Sequence, residues 1–417
     1  MLKNGTIQWR TPGKEKTLSL AIAGDVCPRN NAEQYIRDGH AKDVLADILP
    51  HLDAADLRLV QWETPLCEKK APISKCGPNL CVHPECVDFL KAGHFDIALL
   101  ANNHTGDQDA QGTLSTLSVL DANHIRAVGA GKDLASARRP LHLEQNGLKL
   151  SIINVAEGEF GLARKDYPGA NPLDTLNTLE DIRQEKAISD LVLVVIHGGN
   201  EYNPIPSPRM KQTYRAFADA GASAVVNIHP HCPQGMEVYH DVPIIYSPGN
   251  FFFPWGEDGN YDASKFWFAG YLPRISFDQQ GAYALEVTPY YFSDLPTWKI
   301  HPLKGKQRQW FLDYLDKITD IFHKDGEHFY DLWCAYRYQT PLSWLKNFPK
   351  DELAERYMEP EIVQRTPPAR HMMTCQSHAH LTANILLLIE QFKLQELRKE
   401  ISRIEELQVA HYAEQAE

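Results

Sequence analysis

The sequence contains no run of about 18 consecutive apolar residues, so no membrane-spanning helix is expected. Its opening stretch, MLKNGTIQWRTPGKEK, lacks the apolar core and small-residue cleavage site of a secretory signal, and the expected location is the cytoplasm. Internal repeats and low-complexity tracts are absent. Positive charge is scarce. The 42 Lys and Arg against 54 Asp and Glu leave a net charge of -12, which argues against nucleic acid as a partner because phosphate neutralisation needs a basic face. Gly129-Ala130-Gly131 lacks the rest of a dinucleotide fingerprint. The eight cysteines, in a chain with no signal-like segment, are read as free thiols. Four of them, Cys67, Cys76, Cys81 and Cys86, are separated by eight, four and four residues. That is not a common zinc-ribbon spacing, so they are read as loop or core thiols.

What is present is an ordinary globular composition, 43% hydrophobic and 23% charged, in 417 residues, a length that suits two or three folding units. Near-continuous apolar runs at Leu18–Ala23, Leu57–Trp62, Ile97–Ala101, Leu191–Ile196, Ala224–Ile228 and Ile244–Tyr246 suit strands buried on both faces. Helical patterns at Ala41–Ala54, Pro84–Ala92 and Arg209–Ala220 lie between them. Residues 141–156 form two β-runs around Asn146-Gly147, and residues 265–292 form two more around a Gln-Gln-Gly turn. Parallel β/α units mixed with hairpins predict a layered α/β sandwich of two sheets over residues 1–295. Beyond that, strand signals vanish and residues 296–417 read as a helical extension, separable from the rest. Leu394, Leu397, Ile401 and Ile404 make an apolar stripe that either docks on the core or pairs with a second copy as a homodimer.

Five short motifs each follow an apolar strand, where ligand groups collect in open α/β sheets. Ala23-Gly24-Asp25-Val26-Cys27 puts a carboxylate after the first run, and Glu63 of Trp62-Glu63-Thr64-Pro65 closes the second. Asn102-Asn103-His104-Thr105-Gly106-Asp107 joins amide ligands to a histidine that should face substrate, with Asp107 placed to orient it and favour its protonated form. His197 precedes two glycines, and His229-Pro230-His231 needs a turn to aim both rings at one place. Asp25, Glu63, Asn103, His197, His229 and His231 together exceed one tetrahedral ion. They suit two divalent ions, Mn, Fe or Zn, bridged by a carboxylate. Phe251-Phe252-Phe253-Pro254-Trp255 reads as core packing. Cys375-Gln376-Ser377-His378-Ala379-His380 offers metal-type donors but lacks a separate ligand set, so a surface or helix-capping role is favoured over a metal cluster.

In this order, GD, WETP, ANNH-x-x-D, HGGNEY, HPH and YSPGNFFF resemble the bacterial capsule-synthesis CapA family, linked to poly-γ-glutamate and capsule production, over about residues 18–292. The resemblance implies an α/β/β/α sandwich of calcineurin-like metallophosphoesterase type. It implies metal-ligand roles for the six residues above, an acid/base or oxyanion-stabilising role for His104, and a pocket lined by Glu201 and residues 247–253. Asp107 and Glu201 join His104 as candidate catalytic residues. Three positions depart from related patterns: Cys27 where D-x-H would place histidine, Glu63 where aspartate would bridge, and Gly198 where CapA proteins often carry a bulky aromatic, which predicts an enlarged pocket. The expected activity is metal-dependent hydrolysis or transfer on an anionic amide, peptide-like or phosphorylated polymer precursor. A peptide epimerase and a non-catalytic scaffold in capsule assembly are the alternatives.

Overall fold

The computed structural model describes residues 2–13, 16–254, 266–293 and 298–410. Trp255 and the expected domain boundary near residue 295 lie outside these. Two sheets stack face to face. The first has nine strands, and its centre is four parallel ones, Thr17–Val26, Leu57–Trp62, Ile97–Leu99 and Arg126–Val128. The hairpin strands Ala269–Asp278 and Gly281–Ser293 extend it antiparallel. The second has six strands, with Leu148–Ala156, Leu191–His197, Ala224–Ile228 and Val242–Ile245 parallel at its centre.

Alternation along Thr17–Val26 explains the layering. Leu18, Leu20 and Ile22 point into the core shared with the second sheet, while Ala21 and Ala23 point to the opposite face under the N-terminal helices. Helices Thr175–Ile188 and Pro208–Asp219 cover the outer face of the second sheet, giving an α/β/β/α sandwich. Each of these helices starts where its sequence asks: Asp174 accepts from the Asn177 amide, and Ser207 accepts from the Met210 amide with Pro208 at the first turn. The Ala41–Ala54 pattern breaks into short pieces, Ala41–Leu45 and Leu49–Leu52, the second carrying Pro50 in its first turn, and Gly39 upstream takes a positive φ of 95°. Cys86 lies in the core beneath the N-terminal helices, while Cys67 and Cys81 pair at 2.7 Å between sulfurs as free thiols.

The C-terminal region is not purely helical. Lys299–Pro302 adds an edge strand to Gly281–Ser293, too short to stand out by periodicity. The long helix Gly305–Arg337 then buries Phe311, Leu315, Ile318 and Phe322 in the same core cluster as the second sheet. Leu397 and Ile404 are buried against that cluster, with Leu394 and Ile401 packed beside them, so the apolar stripe docks on its own chain rather than offering a dimer seam. Among the described residues, no helix is long and apolar enough to cross a membrane.

A helix sharing the main core should stabilise the whole chain. Leu315→Ala is expected to lower unfolding free energy by roughly 2–5 kcal/mol in a denaturant titration, the usual range for a buried Leu. An unchanged midpoint, or a separate early transition for the extension alone, would contradict this packing.

Candidate metal centre

The carboxyl ends of the central strands of both sheets meet at one place. Asp25 lies one residue before the end of its strand, just after a register shift between Ala23 and Asp25. Gly24 permits this, because a Cβ there would lie 1.9 Å from the Gly249 carbonyl oxygen. Glu63 follows Leu57–Trp62 directly, and His197 is the last residue of Leu191–His197. His229 and His231 follow Ala224–Ile228 with φ of 122° and 54°. Non-glycine residues held there store strain of order 1–3 kcal/mol, and here the strain lets both rings turn to one side of the Pro230 turn. Their centroids are 5.7 Å apart. Asn102 makes an Asx-type turn, its Oδ1 accepting from the His104 amide at 3.0 Å, and this turn aims Asn103 and His104 into the site.

All six expected ligands come together. His197 Nδ1 is 3.7 Å from Asp25 Oδ1, and His197 Nε2 is 3.4 Å from Glu63 Oε1. His231 Nδ1 is 3.5 Å from Asp25 Oδ2, and His231 Nε2 is 3.9 Å from Glu63 Oε1. Asn103 Oδ1 lies 3.0 Å from His197 Nε2. Two overlapping groups, Asp25–Glu63–His197 and Glu63–His229–His231, each keep their ligand atoms within 4.8 Å of one another and share Glu63. Asp25 and Glu63 are both 0% exposed, and among the described residues none of their four carboxylate oxygens makes a hydrogen bond, the nearest groups being the His197 and His231 rings. A buried carboxylate with no hydrogen bond costs several kcal/mol. This donor set fits divalent cations, and Glu63 is the residue shared by its two groups.

Electrostatics agree. Burial, then the neighbouring Glu63, raises Asp25 well above the usual carboxylate range, and burial lifts Glu63 to about 8. Burial and the adjacent His229 push His197 well below 6.5. Burial opposes charge on His229, yet Glu159, 3.2 Å away, carries it up to about 10.

His104 Nδ1 donates to Asp107 Oδ2 at 2.6 Å, and its Nε2 lies 4.0 Å from Glu63 Oε1. Asp107 favours the protonated ring as expected, but other effects outweigh it. Burial lowers the His104 pKa, and Lys75, 3.3 Å from Nδ1, opposes the attraction of Asp107. Lys75 also takes up the Asp107 charge at 2.6 Å, and the Leu80 amide donates to Asp107 Oδ2. Glu201 lines a cavity of about 230 Å³ with Asn103, His104, Glu159 and Arg337.

Sequence reasoning missed several residues here. Glu157 and Glu159 follow the strand Leu148–Ala156, the same strand-end signal used for the other motifs, hidden because that run was read only as a hairpin. Asn250 Oδ1 faces His231 Nδ1 at 2.7 Å and fixes that ring. Lys75, in a cysteine-bearing loop, carried no signal. Gly198 does not enlarge the pocket, because a Cβ there would lie 2.5 Å from Glu157 Cγ. Glu157 in turn pairs with Arg209 and accepts from the Ser377 amide at 2.9 Å. The Cys375–His380 segment is thus neither surface nor a plain cap: Cys375 is buried, and Glu159, His371, Cys375 and His378 group together.

The family model described as bacterial capsule synthesis protein PGA_cap matches residues 19–254, which hold every ligand candidate at the two-sheet junction. The chain belongs to this family. It is 29% identical over 279 residues to the PGA biosynthesis protein CapA of Bacillus subtilis, covering 66% of this chain and 72% of that one. A probable polyglutamine synthesis accessory protein of Mycobacterium tuberculosis is 28% identical over 211 residues, covering 47% of this chain and 55% of that one. Among solved structures, a 5'-nucleotidase precursor from Thermus thermophilus superposes with a TM-score of 0.39 at 11% identity, over 73% of this chain and 59% of that one. In this PGA_cap member, residues 255–410 include the segment that delivers His371, Cys375 and His378 to the strand ends, beyond the matched range.

Metal loading should reverse a pH dependence. In the metal-free protein, Glu63 has a folded pKa raised to about 8, so its contribution to stability is complete below its unfolded value and is lost as pH rises through about 8. His197, with a lowered folded pKa, adds no slope above 6.5. Chelated protein should therefore melt at falling temperature from pH 6.5 towards about 8, and saturating Zn²⁺ or Mn²⁺ should flatten or invert that trend because carboxylates bind metal deprotonated. Thermal melts in chelator and in metal check this. Parallel curves in both would show that metal does not bind these carboxylates.

Proposed function

We propose that the chain is a metal-dependent hydrolase or transferase acting on an anionic amide, peptide-like or phosphorylated precursor in the synthesis of a capsule or poly-γ-glutamate-like polymer. The single observation that carries the reading is the pair of buried carboxylates Asp25 and Glu63, which make no hydrogen bond and are set against three histidines, beside a histidine that is held but not itself grouped with them. Family membership and the names of the relatives supply the polymer context. Asp25, Glu63, Asn103, His197, His229 and His231 would hold two divalent ions, and these would supply Lewis acidity to the group under attack.

The chain's own residues do the rest. Asp107 and Lys75 fix the His104 ring, with the proton on Nδ1 and a free Nε2 turned towards Glu63. In that state Nε2 accepts a proton at the reacting atoms and can return it to a leaving group. Arg337 stacks over Trp333 at 5.6 Å and lines two cavities that flank the site, where it would hold an anionic group of the substrate. Glu201 faces the same cavity and is the second candidate for proton transfer.

The His104 Nε2, turned towards Glu63, also favours a second reading. A base beside a metal-polarised carbonyl can remove an α-proton, which is the demand of peptide epimerisation. Solvent deuterium entering a γ-glutamyl peptide without cleavage would mark that reaction.

His104→Ala should retain metal and fold while losing turnover by about 10²–10⁴, the usual worth of general acid–base help. The assay is a panel of phosphoesters and γ-glutamyl peptides, followed for cleavage, transfer and deuterium uptake. Metal-loaded wild-type protein that turns over none of them would favour a scaffold in capsule assembly. A His104→Ala variant with full turnover would remove His104 from the chemistry.

A further inference from the structure

A second set of metal-type donors lies outside the six strand-end ligands. Glu159 comes from the loop after Leu148–Ala156, and the other three come from one short stretch of the C-terminal region. His371 sits on helix Pro367–Thr374, Cys375 breaks the helix with extended ψ of 121°, and His378 sits in the first turn of Gln376–Glu390. The spacing H-x3-C-x2-H brings all three to one side of the break. The ligand atoms of these four residues lie within 4.8 Å of one another. Glu159 Oε2 is 3.2 Å from His371 Nε2, and the two imidazole centroids are 4.3 Å apart.

The arrangement is built rather than incidental. Gly158 lets the loop approach the helix end, since a Cβ there would lie 2.2 Å from the Thr374 carbonyl oxygen. The Gly158 amide donates to Gln376 Oε1 at 2.8 Å, and Gln376 Nε2 donates to the Leu173 carbonyl at 2.8 Å. His371 Nδ1 is occupied by Cys76 Sγ at 3.2 Å, which leaves Nε2 turned inward and buried, facing Glu159 Oε2 at 3.2 Å outside hydrogen-bond geometry. A second contact of this kind is what orients a metal-binding imidazole. The neighbouring Glu157 is paired with Arg209 and Ser377 and also accepts from the Cys375 thiol at 3.4 Å, a contact that zinc on the thiolate would replace.

We propose that Glu159, His371, Cys375 and His378 form a further metal site, for zinc, separate from the Asp25–Glu63 centre. Two imidazoles, one thiolate and one carboxylate complete a four-coordinate set, and thiolate with imidazole selects zinc over magnesium, calcium or manganese. Bound there, zinc would pin the C-terminal region to the strand ends. Glu159 also accepts from Asn103 Nδ2 at 3.1 Å and lies 3.2 Å from His229, so it ties this site to the first.

Sulfur distinguishes the two sites, because the Asp25–Glu63 centre groups only nitrogen and oxygen donors. The full chain, stripped with chelator and reloaded with Co²⁺, should show thiolate-to-cobalt charge-transfer absorption in the near ultraviolet. Cys375→Ser should abolish that band and lose one equivalent of metal, whereas Asp25→Asn should keep the band. Zinc K-edge absorption on the wild-type protein needs no variant and should show a sulfur scatterer at about 2.3 Å. Wild-type metal surrounded by nitrogen and oxygen alone would overturn the proposal, as would a band that survives Cys375→Ser. A sulfur-bound ion as the sole metal in the protein would support this site and count against the Asp25–Glu63 centre.

Discussion

The structure depends on the burial of two carboxylates, Asp25 and Glu63, at the ends of adjacent parallel strands, where among the described residues their oxygens make no hydrogen bond. Burying a charge without a partner costs several kcal/mol, and a fold tolerates this only where a counter-charge arrives from elsewhere. The second sheet brings its strand ends to the same point and delivers three histidines rather than Lys or Arg. Imidazoles beside carboxylates make a good cation cage. The bulge at Gly24 and the positive φ of His229 and His231 are local costs of that convergence.

The C-terminal region takes part in the same arrangement. Its long helix shares the core with the second sheet, and its later helices clamp the Glu157–Glu159 loop through Gln376 and Ser377. Glu157 fills the space left by Gly198, so a position that lacks a side chain is compensated by one from a neighbouring loop. Arg337 from the long helix reaches the cavities beside the ligands. The pocket is therefore shaped by a region beyond the matched range of the family model.

Much of the frame was legible because strands buried on both faces write themselves as apolar runs, and each ended where a ligand type began. The hairpins were legible from Asn146-Gly147 and the Gln-Gln-Gly turn. What escaped was tertiary in origin. Glu159 stood after a strand but on a hairpin not expected to reach the site. Lys75 sat among cysteines whose roles are separate, one pairing with His371 and others with each other or the core. Cys375 and His378 looked like a lone cluster because their partners, Glu159 and His371, lie far away or across a helix break. The charge state of His104 could not follow from Asp107 alone, since Lys75 and burial decide it.

The central proposal is that Asp25, Glu63, Asn103, His197, His229 and His231 would hold divalent cations, with Glu63 common to both candidate groups. Crystals of the full chain grown with Zn²⁺ or Mn²⁺, with diffraction recorded on either side of the metal edge, test it directly. The account predicts anomalous density within bonding distance of Glu63 in either metal, distinct from any zinc peak at Cys375. Crystals that show no anomalous density there, with Asp25 and Glu63 instead hydrogen-bonded to ordered water or to protein donors, would contradict it.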